Sequence, residues 1–149
     1  MAAADLADGR VPGSPAGFEV VEHMADWALR VRGRDLAQFL VHAAQGMNSL
    51  LVSDPAGVPL TDERQFTLEA FDRESMLVEW LSELAYYAER EGLIFTRFEL
   101  LEATPERLQA VVRGGHAGEL QKHVKAVTYH NLVVAESATG LEATVVLDV

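Results

Sequence analysis

Trp27, Leu29 and Val31 alternate with Ala28, Arg30 and Arg32, the period of a half-buried strand, and Gly33 ends it. The period then changes to that of a helix: Leu36, Phe39, Leu40, Ala43, Met47 and Leu50 fall on one stripe. Asp35, with Gln38 three residues on, has the form of a capping box at its start. Prolines and a glycine between Ser53 and Pro59 interrupt both periods and mark a loop, after which Phe66, Leu68 and Ala70 alternate with Thr67 and Glu69 as another strand. A second helix is expected from Asp72, a good N-cap, with Phe71 packed on Met76 as a hydrophobic staple. Leu77, Trp80, Leu81, Leu84 and Ala88 continue its buried stripe, and Gly92 is placed to cap its end.

The remainder predicts strands at about 93–102, 107–113, 126–136 and 141–148, bounded by turn residues such as Thr104-Pro105 and Thr139-Gly140. Loss of alternation from Gly114 to Lys122 marks a connection, with the Gly114-Gly115 pair as a turn signal. This order of elements predicts an α+β fold, a mostly antiparallel or mixed sheet with two main helices packed on it. A single domain is expected over residues 17–149, since no Pro/Gly/Ser linker divides them. Residues 1–16 are rich in Ala, Gly, Pro and Asp without apolar period and read as a flexible N-terminal tail.

Composition narrows the function. The 149 residues are 49% hydrophobic and 23% charged, and a chain of this size buries about 70% of the surface its unfolded form exposes. No metal or covalent staple is needed for folding, so any metal site is free to serve function. Twelve lysines and arginines against 23 acidic residues give a formal charge of −11, which argues against a broad grip on phosphate backbones; no direct nucleic-acid binding is expected. The absence of cysteine excludes disulfides, thiolate-bound zinc, iron–sulfur clusters and a cysteine nucleophile. No apolar run reaches the roughly 18 residues that span a bilayer, and the start lacks a secretory signal, so a cytoplasmic protein without membrane contact is expected, with a monomer favoured.

The polar residues that stand out are His23 and Asp26, a short step apart between strands, then Lys125, Thr128 and His130, and finally Asp148. Asp148 ends the apolar run Thr144-Val-Val-Leu, where an unpaired carboxylate is costly and calls for a cation or a set of donors. Thr128 and His130 share a strand face by period two, with Lys125 outside that register. Taken alone, each also has a plain structural reading. Asp26 can satisfy backbone donors in a turn, Asp148 can be an exposed strand end, the histidines can be packed side chains, and Lys125 a surface charge.

Four segments in order, Glu22-His-Met-Ala-Asp26, the stretch from Asp72 through Trp80-Leu-Ser-Glu-Leu84, Lys125-Ala-Val-Thr-Tyr-His130 and the closing Asp148-Val149, resemble the archease family over residues 18–149. The family pattern is Glu-His-Thr-Ala-Asp, a helix opened by Asp and containing Leu-Leu-x-x-Trp-Leu-x-Glu-Leu, Lys-Ala-x-Thr-Tyr-His, and a final Asp-Val or Asp-Ile. Met24 departs from it in place of threonine, and Leu141-Glu142 stands where an aromatic residue is common.

The resemblance implies a non-enzymatic protein cofactor of the GTP- and manganese-dependent RNA-splicing ligase of tRNA processing, one that promotes the ligase's guanylylation and turnover. It also implies a calcium or other divalent-cation site whose ligands here would be Asp26, Asp148 and a main-chain or terminal oxygen of Val149. By the same match, Lys125 corresponds to the family's functional lysine. His23 and His130 are candidates for a direct role or for orienting the ligands. Two other classes stay open beside it: an independent metal-dependent hydrolase using Asp26, Asp148 and His130, and a chaperone-like binding protein with an exposed apolar patch.

Overall fold

The computed structural model describes residues 17–22 and 26–149; the predicted tail at 1–16, and His23 and Met24, lie outside the described residues. Eight strands and two helices follow in the order β1 (Gly17–Glu22), β2 (Asp26–Gly33), α1 (Leu36–Leu51), β3 (Asp62–Glu69), α2 (Arg73–Glu91), β4 (Leu93–Ala103), β5 (Arg107–His116), β6 (Ala126–Thr128), β7 (Ala135–Ser137) and β8 (Gly140–Asp148). The α+β expectation holds, and every strand pairing is antiparallel. The strands divide into two sheets. One runs β1-β2-β8-β6, with β7 also on β8, and the other runs β3-β5-β4.

Both helices close the core against these sheets. Phe39, Leu40, Ala43 and Met47 of α1 and Met76, Leu77, Trp80 and Leu81 of α2 are fully buried, as are Leu29, Val31, Val145 and Leu147 from β2 and β8. These are the stripes and alternations the sequence predicts, and their burial supplies the main driving force for folding. Phe66 sits amid Trp80, Tyr87 and Phe95, with ring centroids 6.0, 5.6 and 6.1 Å away. Two buried polar groups are satisfied where the backbone offers an acceptor. The Trp80 indole N–H donates to the Leu40 carbonyl at 2.8 Å, tying α2 to α1. Asn48 donates to the Phe95 carbonyl at 2.8 Å, beside the irregularity between Phe95 and Arg97 where β4 slips against β5.

The helix ends follow the sequence in part. Asp35 accepts from the Gln38 N–H at 2.8 Å, while the Gln38 side chain accepts from Arg34 rather than from Asp35. At α2 the capping box is between Asp72 and Ser75: the Asp72 carboxylate accepts from the Ser75 N–H at 2.8 Å, and the Ser75 hydroxyl accepts from the Asp72 N–H at 3.0 Å. Gly92 ends α2 in the left-handed conformation, φ 66°, as its position predicts.

The staple is a correction. Phe71 is 92% exposed while Met76 is fully buried. The Ser75 hydroxyl also takes the Phe71 N–H at 2.9 Å, so polar bonds rather than an apolar contact fix the entry of the chain into α2. A second correction concerns residues 126–136, where the predicted strand is two three-residue strands separated by a turn. Asn131 takes φ 50° there and the Leu132 N–H returns to the Tyr129 carbonyl at 3.0 Å, a turn that asparagine tolerates and that overrides the apolar alternation around it.

Gly114 and Gly115 form a third correction, since they continue β5 instead of turning. A Cβ at Gly114 would stand 1.9 Å from the Ile94 carbonyl oxygen, and one at Gly115 would stand 2.4 Å from that of Pro59. Close backbone approach, not a turn, is what these glycines provide. Gly114→Ala is therefore expected to destabilise the fold by about 3 kcal/mol or more, lowering the melting temperature by roughly 10 °C; a calorimetric shift of less than about 2 °C would contradict that packing.

The α2 cap carries a pH dependence. Hydrogen bonds from the Ser75 backbone and then its side chain hold the Asp72 carboxyl below its ordinary value. A folded pKa below the unfolded one adds stability that is present above the unfolded pKa and is lost as pH falls through the folded one. In thermal melts, the advantage of the wild type over Asp72→Asn should accordingly be greatest near neutrality and shrink below about pH 4; a pH-independent difference would contradict the role of the charge.

Candidate functional site

The register of β2 against β8 determines where the predicted site residues meet. Asp26 opens β2 and is the Cα partner of Asp148, which closes β8. Directly opposed residues of an antiparallel pair project to the same face, with Cβ atoms about 5 Å apart. Two carboxylates from opposite ends of the described chain are thus neighbours. On its other side Asp148 pairs with Ala126 of β6, and the Lys125 N–H donates to the Asp148 carbonyl at 2.7 Å. Lys125, Asp26 and Asp148 therefore meet at one end of the five-stranded sheet, with Val149 next along the chain.

The electrostatics of this end are unbalanced. Asp148 is exposed and Asp26 half-buried, and neither carboxylate has a hydrogen bond or ion pair among the described residues. Like charges facing each other across a ladder repel, and a cation between them would relieve that repulsion. Hard divalent ions take six to eight oxygens, so two carboxylates and a main-chain oxygen fit as part of a shell that water or a partner completes. Among the described residues no cluster of three or more His, Asp or Glu side chains is formed that could hold an ion unaided.

The remaining predicted residues are placed differently. His23 lies outside the described residues. His130 lies in the turn beyond β6, exposed, with its ring beside the Asn131 amide at 3.3 Å, so the shared strand face expected for Thr128 and His130 is absent. The Thr128 hydroxyl instead donates to the Val146 carbonyl at 3.1 Å and accepts from the His130 N–H at 3.3 Å, which ends β6. A hydrolytic trio of Asp26, Asp148 and His130 has no support in this register, because His130 lies two residues past the pairing of Thr128 with Val146 while Asp148 pairs at the other end.

Trp27, half-buried next to Asp26, carries the Lys122 ammonium 4.5 Å above its ring, so the stretch before β6 is anchored to β2 by a cation–π contact. Gln121 adds a second anchor, its N–H donating to the Leu51 carbonyl at the end of α1 at 2.9 Å. Neither contact is marked by a motif, because each joins residues distant in sequence. Among the described residues no helix is long and apolar enough to cross a membrane.

Comparison with known proteins matches this architecture. The chain is 31% identical over 147 residues to the protein archease of Methanosarcina mazei, covering 93% of this chain and all of that one. It is 34% identical over 125 residues to the protein archease of Methanopyrus kandleri, covering 78% and 88% of the two chains. The solution structure of protein 1598 of Methanobacterium thermoautotrophicum superposes with a TM-score of 0.71 at 29% identity, covering 89% of this chain and 99% of that one. The crystal structure of an archease from Thermotoga maritima, named there as a possible chaperone, shares the fold with a TM-score of 0.61 at 21% identity, covering 87% and 94%. The model of the archease protein family matches residues 18–149, and on that match and these relatives the chain belongs to the archease family.

Proposed function

We propose that this protein is a non-enzymatic accessory factor that activates the GTP- and manganese-dependent RNA-splicing ligase of tRNA processing, promoting its guanylylation and turnover. One observation carries the reading: the opposed carboxylates of Asp26 and Asp148, with Lys125 hydrogen-bonded through its main chain to the same aspartate. Asp26, Asp148 and a main-chain or terminal oxygen of Val149 would hold calcium or another divalent cation. The ion would neutralise the two carboxylates and leave coordination positions open at the sheet's end.

In this reading each residue has a bounded task. Asp26 and Asp148 would hold the ion at the end of the sheet, and the β2–β8 ladder keeps them opposed. The Lys125 main chain is held by Asp148, which aligns the start of β6, while its ammonium serves as a point charge for phosphate oxygens. Phosphoryl transfer, its metals and its nucleotide belong to the ligase, so this chain contributes position and electrostatics. The description of the Thermotoga maritima archease as a possible chaperone is compatible with a protein whose task is performed on a partner.

Asp148→Asn and Lys125→Ala are expected to melt within a few degrees of the wild type, since both side chains are exposed, and to stimulate the ligase at least about tenfold less. Calcium should raise the melting temperature of the wild type and of Lys125→Ala but not of Asp148→Asn. Full stimulation by folded variants would overturn the assignment of these residues, and equal calcium stabilisation of wild type and Asp148→Asn would overturn the cation site.

A further inference from the structure

The start of α2 presents apolar side chains that the fold leaves uncovered. Phe71 is 92% exposed, Val133 66% and Tyr129 55%. The segment carrying Tyr129 and Val133 is clamped to the first turn of the helix: the Val134 N–H donates to the Glu74 carboxylate at 2.8 Å, and Arg73 pairs with Glu136 at 3.1 Å. Phe71 is fixed on the same turn by the Ser75 capping bonds. A phenylalanine exposed to water on a hydrogen-bonded backbone adds nothing to the core, and exposed apolar side chains grouped on one surface mark interaction sites.

The charges on this part of α2 that lack an ion pair among the described residues are acidic. Asp72 caps the same turn of α2 to which the segment carrying Tyr129 is clamped, and burial followed by the negative charges of Glu79 and Asp72 raises the Tyr129 hydroxyl pKa. Glu79 is exposed and Glu83 continues the outer face of α2, whereas Arg73 is already paired with Glu136. An exposed aromatic ring beside the acidic start of a helix suits a lysine or arginine. A second copy of this chain would bring the same acids against them, within a net charge of −11. Residues 1–16 hold two aspartates against one arginine and offer no better match.

We propose that Phe71, Val133 and Tyr129 form the docking surface for a basic protein partner: an apolar partner side chain covers Phe71 and Val133, and an adjacent lysine or arginine sits on Tyr129, drawn by the acids of α2. The identity of that partner as the RNA ligase rests on the function proposed above. The placement suits it, because Tyr129 directly follows β6, whose first residue pairs with Asp148. A partner seated on the patch is thereby brought to the end of the sheet where Lys125 lies.

The test is binding kinetics and ligation with the RNA ligase from the same cell, using wild type, Phe71→Ala, Val133→Ser and Glu79→Lys, each checked for an unchanged melting temperature. Phe71→Ala is expected to weaken binding about tenfold or more, mainly through faster dissociation. Glu79→Lys should slow association several-fold at low salt, with the difference fading as salt is raised. Stimulation should return at saturating concentrations of either variant, because Asp26, Lys125 and Asp148 are untouched. Variants that bind as the wild type does would overturn this surface while leaving ligase activation standing. A wild type that neither binds nor stimulates an active ligase would overturn both, and a wild-type dimer in sedimentation that Phe71→Ala abolishes would assign the patch to a second copy instead.

Discussion

The pairing of β2 with β8 is the constraint on which the rest of the molecule depends. It is an eight-residue ladder from Asp26↔Asp148 to Gly33↔Leu141, joining a strand near the start of the chain to the last one. Side chains in a strand alternate between faces, so a slip of one residue would turn either Leu29 and Val31 or Val145 and Leu147 out of the core. All four are fully buried, and the hydrophobic core therefore fixes the register. The same register sets Asp26 against Asp148. The carboxylate pair is thus held in place, against its own repulsion, by the apolar packing of the strands that carry it.

The two helices lock this arrangement from one side. Gly46 of α1 lets the helix approach β2 closely, since a Cβ there would stand 2.6 Å from a Leu29 methyl. Trp80 hydrogen-bonds back to α1, and Asn48 reaches the irregular point of β4, so each helix is tied to a different part of the fold by a buried, satisfied polar group. The start of α2 has a different character. It is fixed by capping and ion-pair contacts rather than by apolar cover, which leaves Phe71 facing solvent above a short segment that runs directly from β6. Exposure of an apolar side chain at a capped helix start and opposition of two acids across a ladder are two results of one scaffold.

Much of this was legible in the residues. The strands through Trp27 to Val31 and Phe66 to Leu68, both helix stripes, the Asp72 and Gly92 caps and the α+β class all followed from period and turn chemistry. What failed were features set by distant contacts. The periodic pattern cannot tell that Ser75, not Met76, fixes the position of Phe71, that Asn131 breaks the strand after Thr128, or that Gly114 lies under the Ile94 carbonyl. The candidate site was legible in a similar measure. Asp26, Lys125 and Asp148 were marked by sequence and are brought together, whereas the turn at Asn131 removes His130 from the strand face expected of it.

Two carboxylates opposed across a ladder favour a cation between them, and an acidic chain is suited to meeting a basic one. The most direct measurement of that account counts turnovers: multiple-turnover RNA ligation by the RNA ligase of the same cell, with GTP and manganese, at a range of concentrations of this protein below that of the ligase. The account predicts that each molecule of this protein supports many ligation events, so that substoichiometric amounts restore sustained turnover. Ligation by an active ligase that is unchanged at every concentration of the folded protein would contradict it.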